Sequence, residues 1–174
     1  RRSIEQLRGI EGARVRSMYK KLASEYGIKW EKRSYDPRRW SSADPLNRAL
    51  SAATSSLYGL CEAGILAAVD SPAIGFVHTG KPRSFVYDIA DLFKFETVVP
   101  VAFWEAREGE SYIERRVRMA CRDSFRSQKL LKRVIPLIEK VLAAGGLERP
   151  KAPPESVGPA FEDEEGIGDD GHRN

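Results

Sequence analysis

A chain of 174 residues, 41% hydrophobic and 31% charged, has the length and balance of one soluble globular domain with its own core. No apolar run approaches the roughly 18 residues of a membrane span, and the sequence shows no signal-peptide pattern. Cys61 and Cys121 match neither a zinc nor a redox spacing, so a reducing, cytoplasmic compartment without a membrane partner is expected.

The net charge of +4 is unevenly spread. Residues 148–174 carry three basic and eight acidic side chains, net −5, which leaves 26 basic against 17 acidic, net +9, in the first 147. A basic body with an acidic tail rich in Pro and Gly suits a polyanion such as DNA or RNA, and a solvated basic surface without a partner is the plainer alternative. The tail has too little apolar surface to offset its ordering entropy and is expected to be disordered. Because Arg1 runs straight into a helix start, a preceding segment is also expected.

The first helix opens on an S-x-x-Q capping box, Ser3 and Gln6. Ile4, Leu7, Ile10, Met18, Leu22 and Tyr26 then recur at helical spacing until Gly27 closes the run. Residues 28–43 place Trp30, Tyr35, Pro37 and Trp40 among charges without a period, which reads as an ordered loop pinned by aromatics. Asp44-Pro45 is an N-cap followed by proline at the first helical position. Leu46, Leu50, Ala53, Leu57 and Leu60 carry a long helix from there to about Val69, and its Ala, Ser and Gly content permits close packing.

Residues 73–83 after Pro72 read as a loop or a short extended piece, and Ser84 is placed to cap a helix through Phe95. Pro100 starts another. Ser111 and Glu114 pattern as a second capping box for a helix to about Phe125. A last helix, about Leu130 to Ala144, contains the kink point Pro136 and ends at Gly145-Gly146. The expected architecture is all-α: one helical domain of about six helices over residues 1–147, and the flexible tail over 148–174.

Chemistry concentrates at few positions. His78 lies in the loop G-F-V-H-T-G-K, directly before a helix bearing Asp88 and Asp91 at i, i+3, on one face. A histidine and carboxylates suit a divalent cation such as Mn²⁺, whereas sites of oxygen alone favour Mg²⁺. A capping Asp, a surface Asp and an ordinary loop histidine fit the same pattern. Gly75 to Lys81 imitates the opening of a P-loop, but Pro82 stands where the Mg²⁺-binding Ser or Thr belongs and lacks the needed N–H, which argues against an NTPase. Glu11 sits between Gly9 and Gly12 inside a helix, where each glycine costs about 1 kcal/mol relative to alanine. Close helix packing would explain the glycines, as would room for a metal and a substrate backbone beside the carboxylate.

Glu11 in R-G-I-E-G, His78 in G-F-V-H-T-G-K-P, 67 residues on, and the pair in F-V-Y-D-I-A-D together resemble the CRISPR-associated adaptation integrases, the Cas-one family, most closely its type I-E branch. The similarity runs from Arg1 through Ala144, and RRSIEQLRGIEGARVR and PAIGFVHTGKPRSFVYDIADLFKFETVVP are its most specific stretches. The resemblance implies a helical catalytic domain that follows a β-rich N-terminal domain absent from this sequence. It implies a metal triad of Glu11, His78 and Asp91 holding Mg²⁺ or Mn²⁺, with Asp88 a nearby acid tied to activity. By the same resemblance Tyr58, Lys81 and Tyr87 would fall in the pocket for the single-stranded end of incoming DNA, and Arg118 on a basic position that holds the strand; a buried core role for either tyrosine is the alternative. Arg83 and Lys94 are further candidates for phosphate contact.

The implied reaction joins the 3′-OH of captured DNA into the CRISPR leader–repeat junction by transesterification. The implied partners are a second copy of the chain and a small CRISPR-associated companion, Cas-two. A structure-selective nuclease without integration, or an inactive DNA-binding helical scaffold, are the alternative functions.

Overall fold

The structure, a computed structural model, describes residues 3–34, 43–68 and 70–147. These form six α-helices and no strand: α1 (Ile4–Tyr26), α2 (Pro45–Ala67), α3 (Ser84–Thr97), α4 (Val99–Arg107), α5 (Ile113–Ser127) and α6 (Leu130–Ala144). The all-α expectation therefore holds. The tail from residue 148 and the aromatics Tyr35 and Trp40 lie outside the described residues.

The centre is α2, with α3, α4, α5 and α6 packed around it. Its stripe Leu46, Ala49, Leu50, Ala53, Leu57, Cys61 and Ile65 repeats at three- and four-residue steps and is buried throughout. Facing it are Phe85, Ile89 and Phe93 of α3, Phe103 of α4, Ile113, Val117 and Cys121 of α5, and Val134, Ile138 and Leu142 of α6. Each such Leu, Ile or Phe contributes about 1.5–3 kcal/mol when fully buried. The small residues of α2 permit this crowding: at Gly64 an added Cβ would lie 2.9 Å from Val134 Cγ1. No helix among the described residues is long and apolar enough to cross a membrane.

Both N-terminal caps form as expected. Ser3 and Gln6 exchange the two hydrogen bonds of a capping box, and Asp44 Oδ1 accepts from the Asn47 N–H at 3.0 Å. Gly27 ends α1 in the left-handed conformation, φ 66°. Trp30 pins the following loop by stacking on Tyr19 with ring centroids 5.0 Å apart.

Three expectations are corrected. Ser111 and Glu114 form no capping box; Tyr112 is the N-cap residue of α5, without a side-chain cap, and the Glu114 carboxylate is taken by Arg48 Nε of α2 at 2.7 Å. Ser84 does not cap α3 from outside. It is the first helical residue, and its Oγ turns back to donate to the Lys81 carbonyl and accept from the Lys81 N–H. The inward face of α1 is Val15, Tyr19, Leu22, Ala23 and Tyr26, while Ile10 is 49% exposed. The N-terminal half of α1 thus stands beside the core rather than in it. The side chains of Ile4 and Leu7 lie outside the described set. Pro136, on the exposed side of α6, leaves the helix assigned as one from Leu130 to Ala144.

Candidate active site

The loop between α2 and α3 is short of apolar anchors, so its shape depends on polar contacts. Gly75 is required there because an added Cβ would lie 1.7 Å from the His78 carbonyl oxygen. Asp88, one turn into α3, grips the loop from below. Its Oδ2 accepts from the N–H groups of Phe76 at 2.6 Å and Val77 at 3.2 Å, and its Oδ1 accepts from the His78 N–H at 2.9 Å. The same Oδ1 lies 2.7 Å from His78 Nδ1. A carboxylate at 7% exposure with four neighbouring donors is saturated as an acceptor. From the other side, the Arg8 guanidinium of α1 donates to the Val77 carbonyl. Phe76 packs edge-on against Phe85.

Held at Nδ1, the imidazole presents Nε2 to Asp91, whose Oδ2 is 3.9 Å away. Asp91 Oδ1 meets the Lys94 ammonium at 3.2 Å. Glu11, His78 and Asp91 line one open cleft of about 690 Å³ between α1, the loop and α3. Arg8, Arg14, Lys81 and Lys94 line it too, so the carboxylates sit among cations. Among the described residues no three His, Cys, Asp or Glu side chains close on one point as a finished metal cluster. What the structure brings together is an imidazole and a carboxylate at metal-bridging separation, with Glu11 lining the same cleft from α1.

The remaining candidates divide. Lys81 and Lys94 belong to the cleft. Tyr87 lies edge-on to His78, ring centroids 5.6 Å apart, and Tyr58 lies edge-on to Tyr87 at 4.9 Å, forming a short aromatic row behind the imidazole. Burial, with Asp91 and Tyr87 opposing a phenolate, pushes the Tyr58 phenol up to about 12, so it stays neutral and donating at ordinary pH. Arg83 is turned away from the cleft and bonds Glu62 of α2 at 2.7 Å. Arg118 lies in a different groove altogether. Sequence reasoning missed Arg8 and Arg14. The spacing of Arg8 and Glu11, i, i+3 on one helix, was the available signal.

The two glycines beside Glu11 now have a narrower explanation. An added Cβ at Gly9 meets nothing within 4 Å, and one at Gly12 meets only the flexible end of Arg16 at 3.4 Å. Close helix packing within the described residues does not require them.

Fold and cleft together define an all-α domain with a carboxylate–imidazole site ringed by cations. A family model described as CRISPR associated protein Cas1 matches residues 1–115. The chain is 62% identical over 173 residues to the CRISPR-associated endonuclease Cas1 of Geobacter sulfurreducens, covering 99% of this chain and 56% of that protein. It is 59% identical over 175 residues to the CRISPR-associated endonuclease Cas1 of Escherichia coli K12, covering 100% and 57%. The crystal structure of the TtCas1–DNA complex matches with a TM-score of 0.74 and 51% identity over 78% of this chain and 52% of that one. The chain belongs to the Cas1 family. It spans about half the length of the curated relatives it matches.

Proposed function

We propose that residues 1–147 form the catalytic domain of a metal-dependent DNA integrase and endonuclease of CRISPR adaptation. The observation that carries this reading is that Glu11, His78 and Asp91 line one cation-rich cleft, with His78 Nε2 3.9 Å from Asp91 Oδ2. Similarity to relatives named endonucleases, and to a Cas1 solved with DNA, supports it.

The donor set fits a divalent ion. Two ligands at about 2.1 Å from one ion lie at most about 4.2 Å apart, and the 3.9 Å between His78 Nε2 and Asp91 Oδ2 falls inside that limit. Glu11, His78 and Asp91 would hold Mg²⁺ or Mn²⁺, the mixed nitrogen and oxygen set being compatible with the latter. An ion held there would polarise a phosphoryl oxygen and favour the deprotonated form of an attacking hydroxyl. Asp88 is a positioning residue in this scheme, its acceptors being taken by the loop. It fixes the proton on Nδ1 and so leaves the Nε2 lone pair facing the cleft.

Around the ligands, Arg8, Arg14 and Lys81 neutralise substrate phosphates, while Lys94 balances the Asp91 carboxylate. In this reading Tyr58 and Tyr87, the aromatic row behind the imidazole, would stack on unpaired bases of an incoming strand, each worth about 1–3 kcal/mol. The 3′-oxygen of captured DNA attacks phosphorus at the leader–repeat junction. A new P–O bond forms as the P–O3′ bond of the target strand breaks, and the released 3′-oxygen takes up a proton. Bond energy is conserved, so no ATP is consumed. With water as the attacking group the same residues hydrolyse DNA. The partners in this reading are DNA, a second copy of the chain and the Cas-two companion.

Strand joining by the protein carrying this domain tests the proposal. His78→Ala is expected to lower joining at least about 100-fold and to weaken Mn²⁺ binding, with duplex affinity nearly unchanged. Normal joining by His78→Ala with the ion still bound refutes the triad. Cleavage without joined product, given a 3′-OH end and a leader–repeat duplex, selects the nuclease instead. Absence of both with metal supplied selects a DNA-binding scaffold.

A further inference from the structure

Away from the cleft, a second groove of about 480 Å³ runs between α2, α5 and the first turn of α6. Its floor is apolar: Leu60, Phe125, Leu130 and Leu131, the last 48% exposed. Its rim is cationic: Arg118, Arg122 and Arg126 at successive four-residue steps on α5, then Lys129 and Lys132. Arg122 pairs with its neighbour Asp123 at 2.9 Å. Among the described residues the other four rim cations have no carboxylate within ion-pair distance. A track for bare phosphates needs the cations but not the leucines. An exposed apolar floor inside a cationic rim is complementary to an acidic peptide with apolar anchors.

The chain contains such a peptide. Residues 161–170 read F-E-D-E-E-G-I-G-D-D: Phe161 and Ile167 among six carboxylates. Reach is sufficient. Helix α6, 15 residues long, spans roughly 22 Å at 1.5 Å per residue, so a segment leaving its C-terminus must run back about that far to the groove. The 13 residues from 148 to 160 extend to about 43 Å. Tethering also raises the local concentration of the peptide to the millimolar range, on the order of 10⁻³ M.

We propose that residues 161–170 dock in this groove, with Phe161 on the apolar floor and the carboxylates against Arg118, Arg126, Lys129 and Lys132. The tail then acts as an internal nucleic-acid competitor, occupying cations that would otherwise bind phosphates. This inference does not depend on the metal triad.

Zero-length carbodiimide cross-linking of the full chain, read by mass spectrometry, tests it. Cross-links from Glu162, Asp163, Glu164 and Glu165 are expected to fall on Lys129 and Lys132 in preference to the exposed Lys21 and Lys140, with a yield independent of protein concentration. Phe161→Ala, which alters no charge, is expected to lower that yield about tenfold and to tighten duplex DNA binding at low salt severalfold. Cross-links spread over all lysines by exposure would overturn the proposal, as would an undiminished yield in Phe161→Ala. A yield that rises with concentration would assign the groove to a second copy instead and overturn it equally. Unchanged DNA affinity in Phe161→Ala would remove the competitor role.

Discussion

Replacing Asp88 by alanine isolates the contribution of one carboxylate to the shape of the loop. The side chain accepts from three consecutive backbone N–H groups and meets the His78 ring. Hydrogen bonds to a charged acceptor contribute roughly 1.5–3 kcal/mol each. Since the loop is only half-buried and water can replace part of what is lost, about 1 kcal/mol per donor is the sounder figure. Four donors give about 3–4 kcal/mol. The loss should fall on the loop rather than on the whole fold, because the core under α3 is made by Phe85, Ile89 and Phe93, which Asp88→Ala leaves in place.

Native-state amide exchange measures it directly. At about 1.4 kcal/mol per tenfold, protection of the Phe76, Val77 and His78 amides should fall about 10²–10³-fold while that of residues 89–93 stays put. Asp88→Asn keeps one acceptor oxygen and should lose about half as much free energy. In the unsubstituted protein, ¹⁵N spectra of the His78 ring should show the proton on Nδ1, since the carboxylate opposite can only accept. Unchanged protection at residues 76–78 in Asp88→Ala would refute the clamp. A loss shared equally by the whole of α3 would show that the substitution had merely destabilised the helix.

Three further outcomes follow from the same geometry. Gly9→Ala, whose new methyl meets nothing, should strengthen the first half of α1 by up to about 1 kcal/mol, seen as slower amide exchange over residues 9–14; faster exchange would mean that the face is needed bare. Tyr112, the N-cap residue of α5, has φ 51° and is 77% exposed, so Tyr112→Gly should relieve about 1 kcal/mol of backbone strain and raise the Tm by a few degrees; a lowered Tm would contradict that strain. Burial pushes the thiols of Cys61 and Cys121 and the phenol of Tyr58 up to about 12, from 9.0 for the thiols and 10.0 for the phenol. Folded-state values above the unfolded ones mean that the stability these groups contribute is complete below about pH 9 and is lost as pH rises toward 12. Denaturant midpoints that do not move across that window would show the thiols to be accessible.

Helix boundaries were largely legible in the chain because they are set locally. Ser3 with Gln6, Asp44 before Pro45, Pro100 and Gly145 each act within one turn of where they stand, and α1, α2, α4 and α6 begin or end at those signals. The heptad-like burial of α2 was legible for the same reason, as a stripe needs no knowledge of what it faces. Local signals failed where a distant residue competed for the same atoms. Glu114 had the spacing of a cap, but Arg48, 66 residues away, holds its carboxylate. Ile10 had the period of a core residue, but it lies 49% exposed on the half of α1 that stands beside the core.

The site divides along the same line. Asp88 and Asp91 share a face by helical arithmetic, and that was readable. That Asp88 would turn to the loop and Asp91 to the cleft was not, since the difference arises from where the loop lies across α3. Nor could spacing place Glu11 and His78 on one cleft across 67 residues. That placement depends on α1 being anchored by Tyr19 and Trp30 at one end and on Arg8 holding the Val77 carbonyl near the other. The second groove is the extreme case: α5 supplies three arginines and Phe125, α6 supplies Leu130, Leu131 and Lys132, and α2 supplies Leu60, each of which looks like an ordinary solvated or buried position in sequence. Only the crossing of α5 and α6 over α2 puts an apolar floor inside a basic rim, because side-chain neighbours on different helices are decided by packing and not by order along the chain.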